Sequence, residues 1–433
     1  MTNTKQEILY DQECRVISCA IQNPESAFKV VETLKPEDFN DARTRRMVAA
    51  LHEIVLGGGA ASAAGVKRKL SAQPDLESLE QDVVPMRAES SELDEFIDYV
   101  LEHSRLRQLD DACLTARSQI GTQHSDLLVG DLMQKLIEIS LGERRESFTP
   151  VERLFDETFE EVAARHDGEV TGYSTSVRVL DKLIGGWQPK KLYIVAGRPG
   201  MAKSAFAMQS AAHLAYYHDV PTAFFSIEMP ERELMRRIMS NITGVEYWRI
   251  EKRYWAQEHL DRIKEHRERM VEMPLYVNDS GAVTLSQIMA KIKGLKLRHE
   301  KLGPVFIDYL QLMKIIIPRG GNRDIAIGEV TRAFKVLAKD LNIPVVLLSQ
   351  VKRAVEEREN KRPTIADLRE SGNIEQDSDV IIFPYRDSYY SEDPLTEKDC
   401  EFIVGKDRAG KVGVANVGCD LDFQKFFDKE GDI

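Results

Sequence analysis

Apolar residues recur at helical spacing through the first third of the chain. Cys14, Cys19 and Ile21, then Phe28, Val31 and Leu34, then Met47, Leu51 and Val55 each follow a period of three to four. Gly57–Gly58–Gly59 stops the third run. Leu101, Leu106 and Leu109, then Leu132, Leu136 and Ile139, continue the pattern, and no strand-like alternation interrupts it. Residues 1–142 are therefore expected to form a small all-helical domain, and they contain no catalytic grouping.

The character changes over residues 143–176. ERRES is charged, Pro150 suits the first turn of a helix, and Val151, Leu154, Phe155, Phe159 and Val162 form one apolar stripe before the polar HDGEVTGYSTS. This is a linker with one amphipathic helix. Spacing alone leaves open whether the stripe packs on its own domain or on another subunit.

From residue 177 to 433 the pattern is strand, turn, helix, repeated. KLYIVA (191–196), TAFFSI (222–227), PVFIDYLQLM (304–313), PVVLLSQ (344–350), VIIFPY (380–385) and EFIVGK (401–406) are apolar runs bounded by turns or helices. Runs buried on both faces predict an α/β domain with a mostly parallel sheet.

Within that domain the first strand leads into Gly197, Arg198, Pro199, Gly200, Met201, Ala202, Lys203 and Ser204, and then an apolar helix. Strand, Gly-rich loop, Lys-Ser and helix is the context of a phosphate-binding loop. Backbone N–H groups and the helix N-terminus cradle phosphates, Lys203 reaches the outer ones, and Ser204 ligates Mg²⁺. Ala202 departs from the pattern, which has a second Gly there. Asp308 closes PVFID, where a carboxylate holds the Mg²⁺ shell. Glu228 follows TAFFSI, placed as general base for the attacking water. Gln350 ends PVVLLSQ, where it can report on the γ-phosphate. Each alone also reads as a solvated group at a strand end; together they converge on the crevice where ligands of parallel sheets bind. Lys406 and Arg408 lie just past a strand, and by themselves read either as cations acting across a subunit boundary or as a basic turn facing solvent.

Composition narrows the class. The 433 residues exceed one ordinary core, and 42% hydrophobic with 30% charged residues fits a globular chain. No apolar run approaches the roughly 20 residues of a membrane span, and MTNTKQEILYDQE lacks the pattern of a secretory signal. Five cysteines without a Cys-x-x-Cys pair point to reduced thiols in the cytoplasm. A net charge of −12 argues against a protein that coats DNA over its whole surface. A ring with an acidic exterior and a few cations in its channel remains compatible.

GYSTSVRVLDKLIGGWQPKKLYIVAGRPGMAKS, FFSIEMP, FIDYLQLM, IPVVLLSQVKR, RPTIADLRESGNIEQDSD and IVGKDRAG occur in that order. This series resembles the DnaB family of replicative DNA helicases, densely over residues 170 to about 415. QECRVISCAIQNPE and LKPEDFNDARTRRMVAAL carry the likeness more weakly to the N-terminus. The resemblance implies a homo-hexamer with a helical collar, a linker helix docked on the adjacent subunit and a RecA-like motor ring. It implies 5′-to-3′ translocation on single-stranded DNA driven by ATP, with Mg²⁺ as cofactor and a helicase loader and primase as partners. By position it makes Lys203 and Ser204 the phosphate and magnesium residues, Glu228 the catalytic base, Asp308 part of the magnesium motif, and Gln350 the link to the DNA loops. Lys406 and Arg408 then act in trans, Arg369, Glu370 and Gly372 follow the DNA backbone, and Arg319 and Arg323 belong to the other central loop. Three departures stand out: Ala202, Ser176–Val177 in place of Gly-Phe, and Ala409–Gly410–Lys411 in place of Asn-Gly-Pro. Two rival readings follow. One is a ring that hydrolyses ATP poorly because of Ala202 and serves as a DNA- or loader-binding scaffold. The other is a RecA-like strand-exchange filament, which lacks the collar and the DLRESGNIEQDSD loop.

Overall fold

The structure, a computed structural model, describes residues 2–70, 76–86, 88–122, 170–281, 283–310, 323–368, 371–390 and 398–429, with scattered positions between 128 and 163. The chain divides into two compact units, Met1–Ala164 and Arg165–Ile433.

In the first unit the apolar periodicity becomes helices α1 (Thr2–Gln22), α2 (Pro24–Thr33), α3 (Ala42–Leu56), α4 (Ala63–Leu70) and α5 (Leu93–Ser118). Sequence sets their ends. Asn23 caps α2 by accepting from the Glu25 N–H, with Pro24 in the first turn, and Asp41 caps α3 by accepting from the Arg43 N–H. The core gathers Val16, Ile17, Leu34, Phe39, Met47, Leu51, Ile97 and Val100. One expected member is absent from it. Phe28 is 62% exposed, because the buried face of α2 runs through Ala27, Val30 and Val31 instead. Leu106 is likewise exposed on α5.

The second unit is built on one nine-stranded sheet, in the order β3-β2-β4-β5-β1-β6-β7-β8-β9. Its strands are β1 (Leu192–Gly197), β2 (Thr222–Ser226), β3 (Leu275–Asn278), β4 (Val305–Asp308), β5 (Val345–Gln350), β6 (Val380–Tyr385), β7 (Asp399–Asp407), β8 (Gly413–Asp420) and β9 (Lys425–Asp428). The six from β3 to β6 are parallel, and β7, β8 and β9 add on antiparallel. The mostly parallel α/β expectation is met, with a RecA-like ATPase arrangement. The run at 304–313 stops being strand at Asp308.

The helices are α6 (Arg178–Ile184), α7 (Lys203–His218), α8 (Glu231–Thr243), α9 (Tyr247–Lys252), α10 (Gln257–Glu272), α11 (Leu285–Arg298), α12 (Arg323–Leu341) and α13 (Ser371–Asp377). Helix α7 is apolar nearly all round because it is buried nearly all round. Its one buried amide, Gln209, accepts from the Phe426 N–H and donates to the Phe426 carbonyl, so no polar atom is wasted where α7 meets β9. Trp187, fully buried, packs edge-on against Tyr193 and Phe306 and donates its indole N–H to Ser210. These contacts fix the helix that carries Lys203 and Ser204 against the sheet.

Candidate functional site: a nucleotide pocket at the sheet edge

Four adjacent strands, β2, β4, β5 and β1, end side by side. Their registers align Ser226 with Asp308 and Gly197 with Gln350. A cavity of about 560 Å³ opens at this edge, lined by Lys203, Ser204, Glu228, Asp308 and Gln350. The sequence-chosen groups of one subunit therefore meet in one place, at the C-terminal ends of parallel strands.

The loop that rims the cavity is held on both sides. Arg198 forms an ion pair with Glu356 at 3.0 Å and donates to the Val351 carbonyl. At the apex Gly200 adopts φ +84°, and a Cβ there would stand 2.3 Å from the Tyr389 ring, so both conformation and space require glycine. Arg386 donates to the Gly200 carbonyl, and its backbone N–H meets the Met201 sulfur. Pro199 is exposed beside the apex. Ala202 caps α7 in the left-handed region, at φ +59° and ψ +28°. Ser176, the other departure from a family glycine, also has a positive φ of 79°. Both substitutions thus fall where a Cβ is strained.

Inside the cavity Lys203 donates to the Arg198 carbonyl at 3.2 Å. Burial pushes its ammonium below the usual lysine range, and the Asp308 and Glu228 charges pull it back up. Burial likewise pushes the Asp308 carboxyl up to about 6, against the hydrogen bond from Ser204 and the charge of Lys203. Asp308 Oδ2 is buried without a hydrogen-bond partner. A buried carboxylate oxygen with a spare lone pair, next to a serine hydroxyl, is the donor set a hard divalent cation takes together with phosphate oxygens. Among the described residues no group of three or more His, Cys, Asp or Glu forms a metal cage. Glu228 stands at the pocket wall just past β2 and is exposed to it, as a base for water requires.

Sequence reasoning missed part of the wall. Glu233 and Arg237 of α8 and Gln424 from the turn between β8 and β9 also line the cavity. Arg237 is held by Glu233 at 2.9 Å and by Gln424 at 2.9 Å, and its guanidinium lies over the Tyr247 ring. In the sequence Glu233 and Arg237 read as an ordinary surface i,i+4 pair, and nothing marks Gln424.

Lys406 and Arg408 are not in this pocket. Strand β7 runs antiparallel to β6, pairing Lys406 with Ile381, and β6 pairs Ile381 with Ile194. Arg408 donates its backbone N–H to Asp379, at the level of Leu192. The five steps from Leu192 to Gly197 span about 17 Å, and the three from Ile194 about 10 Å, at roughly 3.3 Å each. Arg408 therefore sits at the opposite end of the sheet from its own phosphate loop, and Lys406, level with mid-strand, directs its ammonium to that same end, onto the Ser378 carbonyl. Arg319, Arg369 and Glu370 lie outside the described residues, while Arg323 begins α12 and Gly372 falls in α13. The linker stripe is exposed at Val151, Leu154, Phe155 and Phe159, and Val162 lies outside the described residues.

Known proteins place this architecture. Residues 172–428 match the family model of the DnaB-like helicase C-terminal domain. The chain is 30% identical to the replicative DNA helicase DnaB of Geobacillus stearothermophilus, over 97% of this chain and 94% of that one. It is 28% identical to the replicative DNA helicase DnaC of Bacillus subtilis, with the same coverage. Among solved structures, a DnaB-like replicative helicase described with its interactions with primase superposes with a TM-score of 0.70. That match, at 24% identity, covers 97% of this chain and all of the other. An ATPase domain matches with a TM-score of 0.62 and 28% identity, covering 66% of this chain and all of the other. With a family model matched over residues 172–428 and a relative aligned over nearly the whole chain, above a strand-loop-helix cradle that has Glu228 and Asp308 on its wall, the chain belongs to the DnaB-like family and is an ATP-dependent replicative DNA helicase.

Proposed function

We propose that the chain acts as a closed homo-hexameric ring, in which ATP with Mg²⁺ binds the pocket of one subunit and Lys406 and Arg408 of the next complete it. The observation that carries this reading is the placement of Arg408 about 17 Å, and of the Lys406 backbone about 10 Å, along the sheet from their own phosphate loop (five and three steps at roughly 3.3 Å). Both side chains turn to carbonyls at that far end, so any part they take in hydrolysis requires another copy's phosphate. Lys203 neutralises the outer phosphates, Glu228 accepts the proton of the attacking water, and Gln350 touches the γ-phosphate. Ser204 and Asp308 hold the Mg²⁺, which supplies charge neutralisation when bound.

In this reading hydrolysis drives 5′-to-3′ movement along single-stranded DNA. The strand is followed by Arg369, Glu370 and Gly372 in one loop and by Arg319 and Arg323 in the other. Residues 1–142 form the collar, 143–176 the linker, and 177–433 the motor. The exposed stripe of Leu154, Phe155 and Phe159 needs cover, and a second copy supplies it; exposed Trp248, Tyr254 and Trp255 offer an aromatic surface of suitable chemistry. A helicase loader and a primase are the expected partners, in keeping with the primase interactions described for the solved relative. Among the described residues no helix is long and apolar enough to cross a membrane, and we place the protein in the cytoplasm.

The test is ATP turnover with and without single-stranded DNA, for the wild type and for Arg408→Ala. DNA-stimulated turnover that the variant loses, with nucleotide binding kept, supports the reading. Loss of binding to the same degree as turnover overturns the trans role.

A further inference from the structure

The cations assigned to the neighbouring subunit are engaged within their own chain. Lys406 donates to the Glu375 and Ser378 carbonyls, the latter at 2.7 Å, and Arg408 donates to the Gln376 carbonyl. Two of these acceptors are carbonyls of the last turn of α13 and the third, Ser378, directly follows it, where the helix dipole also attracts positive charge. Helix α13 directly follows residues 369 and 370, and it packs against α12, which follows the other central loop. Thr331 of α12 donates to Asp377 of α13 at 3.1 Å. Both helices that leave the two central loops are therefore tied to the resting place of the two cations.

One carboxylate joins all of these parts. Asp379 is 6% exposed. Its Oδ2 accepts from the Leu192 N–H at 2.7 Å, at the start of the strand that leads to the phosphate loop, and from Lys335 of α12 at 2.7 Å. Its Oδ1 lies 3.5 Å from the Arg408 guanidinium, and its backbone carbonyl accepts from the Arg408 N–H. Sheet and helix hold the carboxylate, whereas the Arg408 side chain is half exposed and held only by Asp379 and the Gln376 carbonyl.

We infer that Asp379 is a positioning residue that holds Arg408 on the end of α13 and so makes its action on the neighbour's ATP conditional on the DNA loops. Movement of α13 when the 369–372 loop engages a strand withdraws the carbonyls, and the guanidinium is then released toward phosphate. Lys335 sets the strength of the hold, because it shares the same carboxylate. The inference rests on the trans role of Arg408 proposed above.

The experiment compares ATP turnover of the full-length ring with and without saturating oligo-dT. Asp379→Asn keeps the shape and the acceptor for Leu192 but removes the charge. Its DNA-free kcat should rise several-fold, with KM for ATP and the DNA-saturated kcat within about twofold of wild type, so that the stimulation ratio falls. Lys335→Met leaves the full carboxylate charge to Arg408 and should do the opposite, lowering the DNA-free kcat and raising the ratio. It keeps the idea testable should Asp379→Asn assemble poorly. An unchanged ratio in either well-assembled variant, or a parallel fall of both rates, overturns the inference. Arg408→Ala separates the two levels. If it turns over normally with DNA, the trans reading fails. If it is inactive while Asp379→Asn keeps the wild-type ratio, only the role of Asp379 fails.

Discussion

Replacing Ala202 with glycine tests whether the methyl group impairs the motor. Ala202 sits at φ +59° and ψ +28°, where its amide heads the helix that carries Lys203 and Ser204. A residue with a Cβ loses roughly 1–2 kcal/mol there. Glycine removes that strain but gives back about 0.4–1 kcal/mol through its freer unfolded chain. Losing a half-buried methyl gives back about 0.4 kcal/mol more, half of the full value for a buried CH₂. The balance runs from about 0.4 kcal/mol against glycine to about 1.2 kcal/mol in its favour, at most about an eightfold effect on an equilibrium or a rate. Ala202→Gly should therefore change DNA-stimulated kcat/KM by less than about eightfold and shift the melting temperature by no more than about 3 °C. Ala202→Val, with a branched Cβ in the same region, should lower both. Steady-state turnover and thermal unfolding, each with and without a non-hydrolysable ATP analogue, read these effects. A gain above about fiftyfold in Ala202→Gly exceeds any strain on this scale. It would mean that the methyl obstructs the phosphates directly and that the wild-type ring is a poor hydrolase.

Three further outcomes are expected. Burial raises the Asp308 carboxyl from 3.8 to about 6. In the metal-free protein the stability contributed by its neutral form is full below pH 3.8 and is lost as pH rises through about 6. Mg²⁺ needs the ionised form, so titrations with a fluorescent nucleotide should show Mg²⁺-dependent affinity falling as pH drops below 6, while affinity in EDTA stays level; parallel curves would remove Asp308 from the metal site. Arg237→Ala removes a cation bound to Glu233 and Gln424 at the pocket wall and should raise KM for ATP about tenfold, the scale of one charged hydrogen bond; an unchanged KM would make it a purely structural residue. Arg369→Ala should weaken single-strand binding and reduce the salt slope by about one, with DNA-independent hydrolysis kept, as fluorescence anisotropy at several salt concentrations would show; unchanged affinity would take that residue off the DNA.

The parts of the fold legible in the sequence are those where burial is total. Strands β1, β2, β5 and β6 are buried along nearly their whole length, and a continuous apolar run is the signal such strands leave. Strand β3 is an edge strand, half-buried throughout, and LYVN is too short to announce itself. Strand β8 alternates buried and exposed positions around glycines, and β9 is four residues long. The gathering of Lys203, Ser204, Glu228, Asp308 and Gln350 in one pocket was legible because the loop follows β1 and the other three end or directly follow strands. Arg237 and Gln424 were not, since their approach depends on a helix and a turn folding back over that edge. Spacing placed Lys406 and Arg408 just beyond a strand. Only the antiparallel course of β7 determines which end of the sheet that is. Ser176 and Ala202 read as unexplained departures until their backbone angles showed what glycine would have relieved.

The separation of cradle and cations along β1 also has an arithmetic of boundaries. If Lys406 and Arg408 act in trans as proposed, a lone chain owns two unmatched halves and no complete catalytic centre. A closed ring of any size has as many complete centres as subunits, and one opened at a single seam has one fewer. Admitting a strand through that seam therefore silences one boundary, and a subunit defective in one half disables a centre it shares with a sound neighbour.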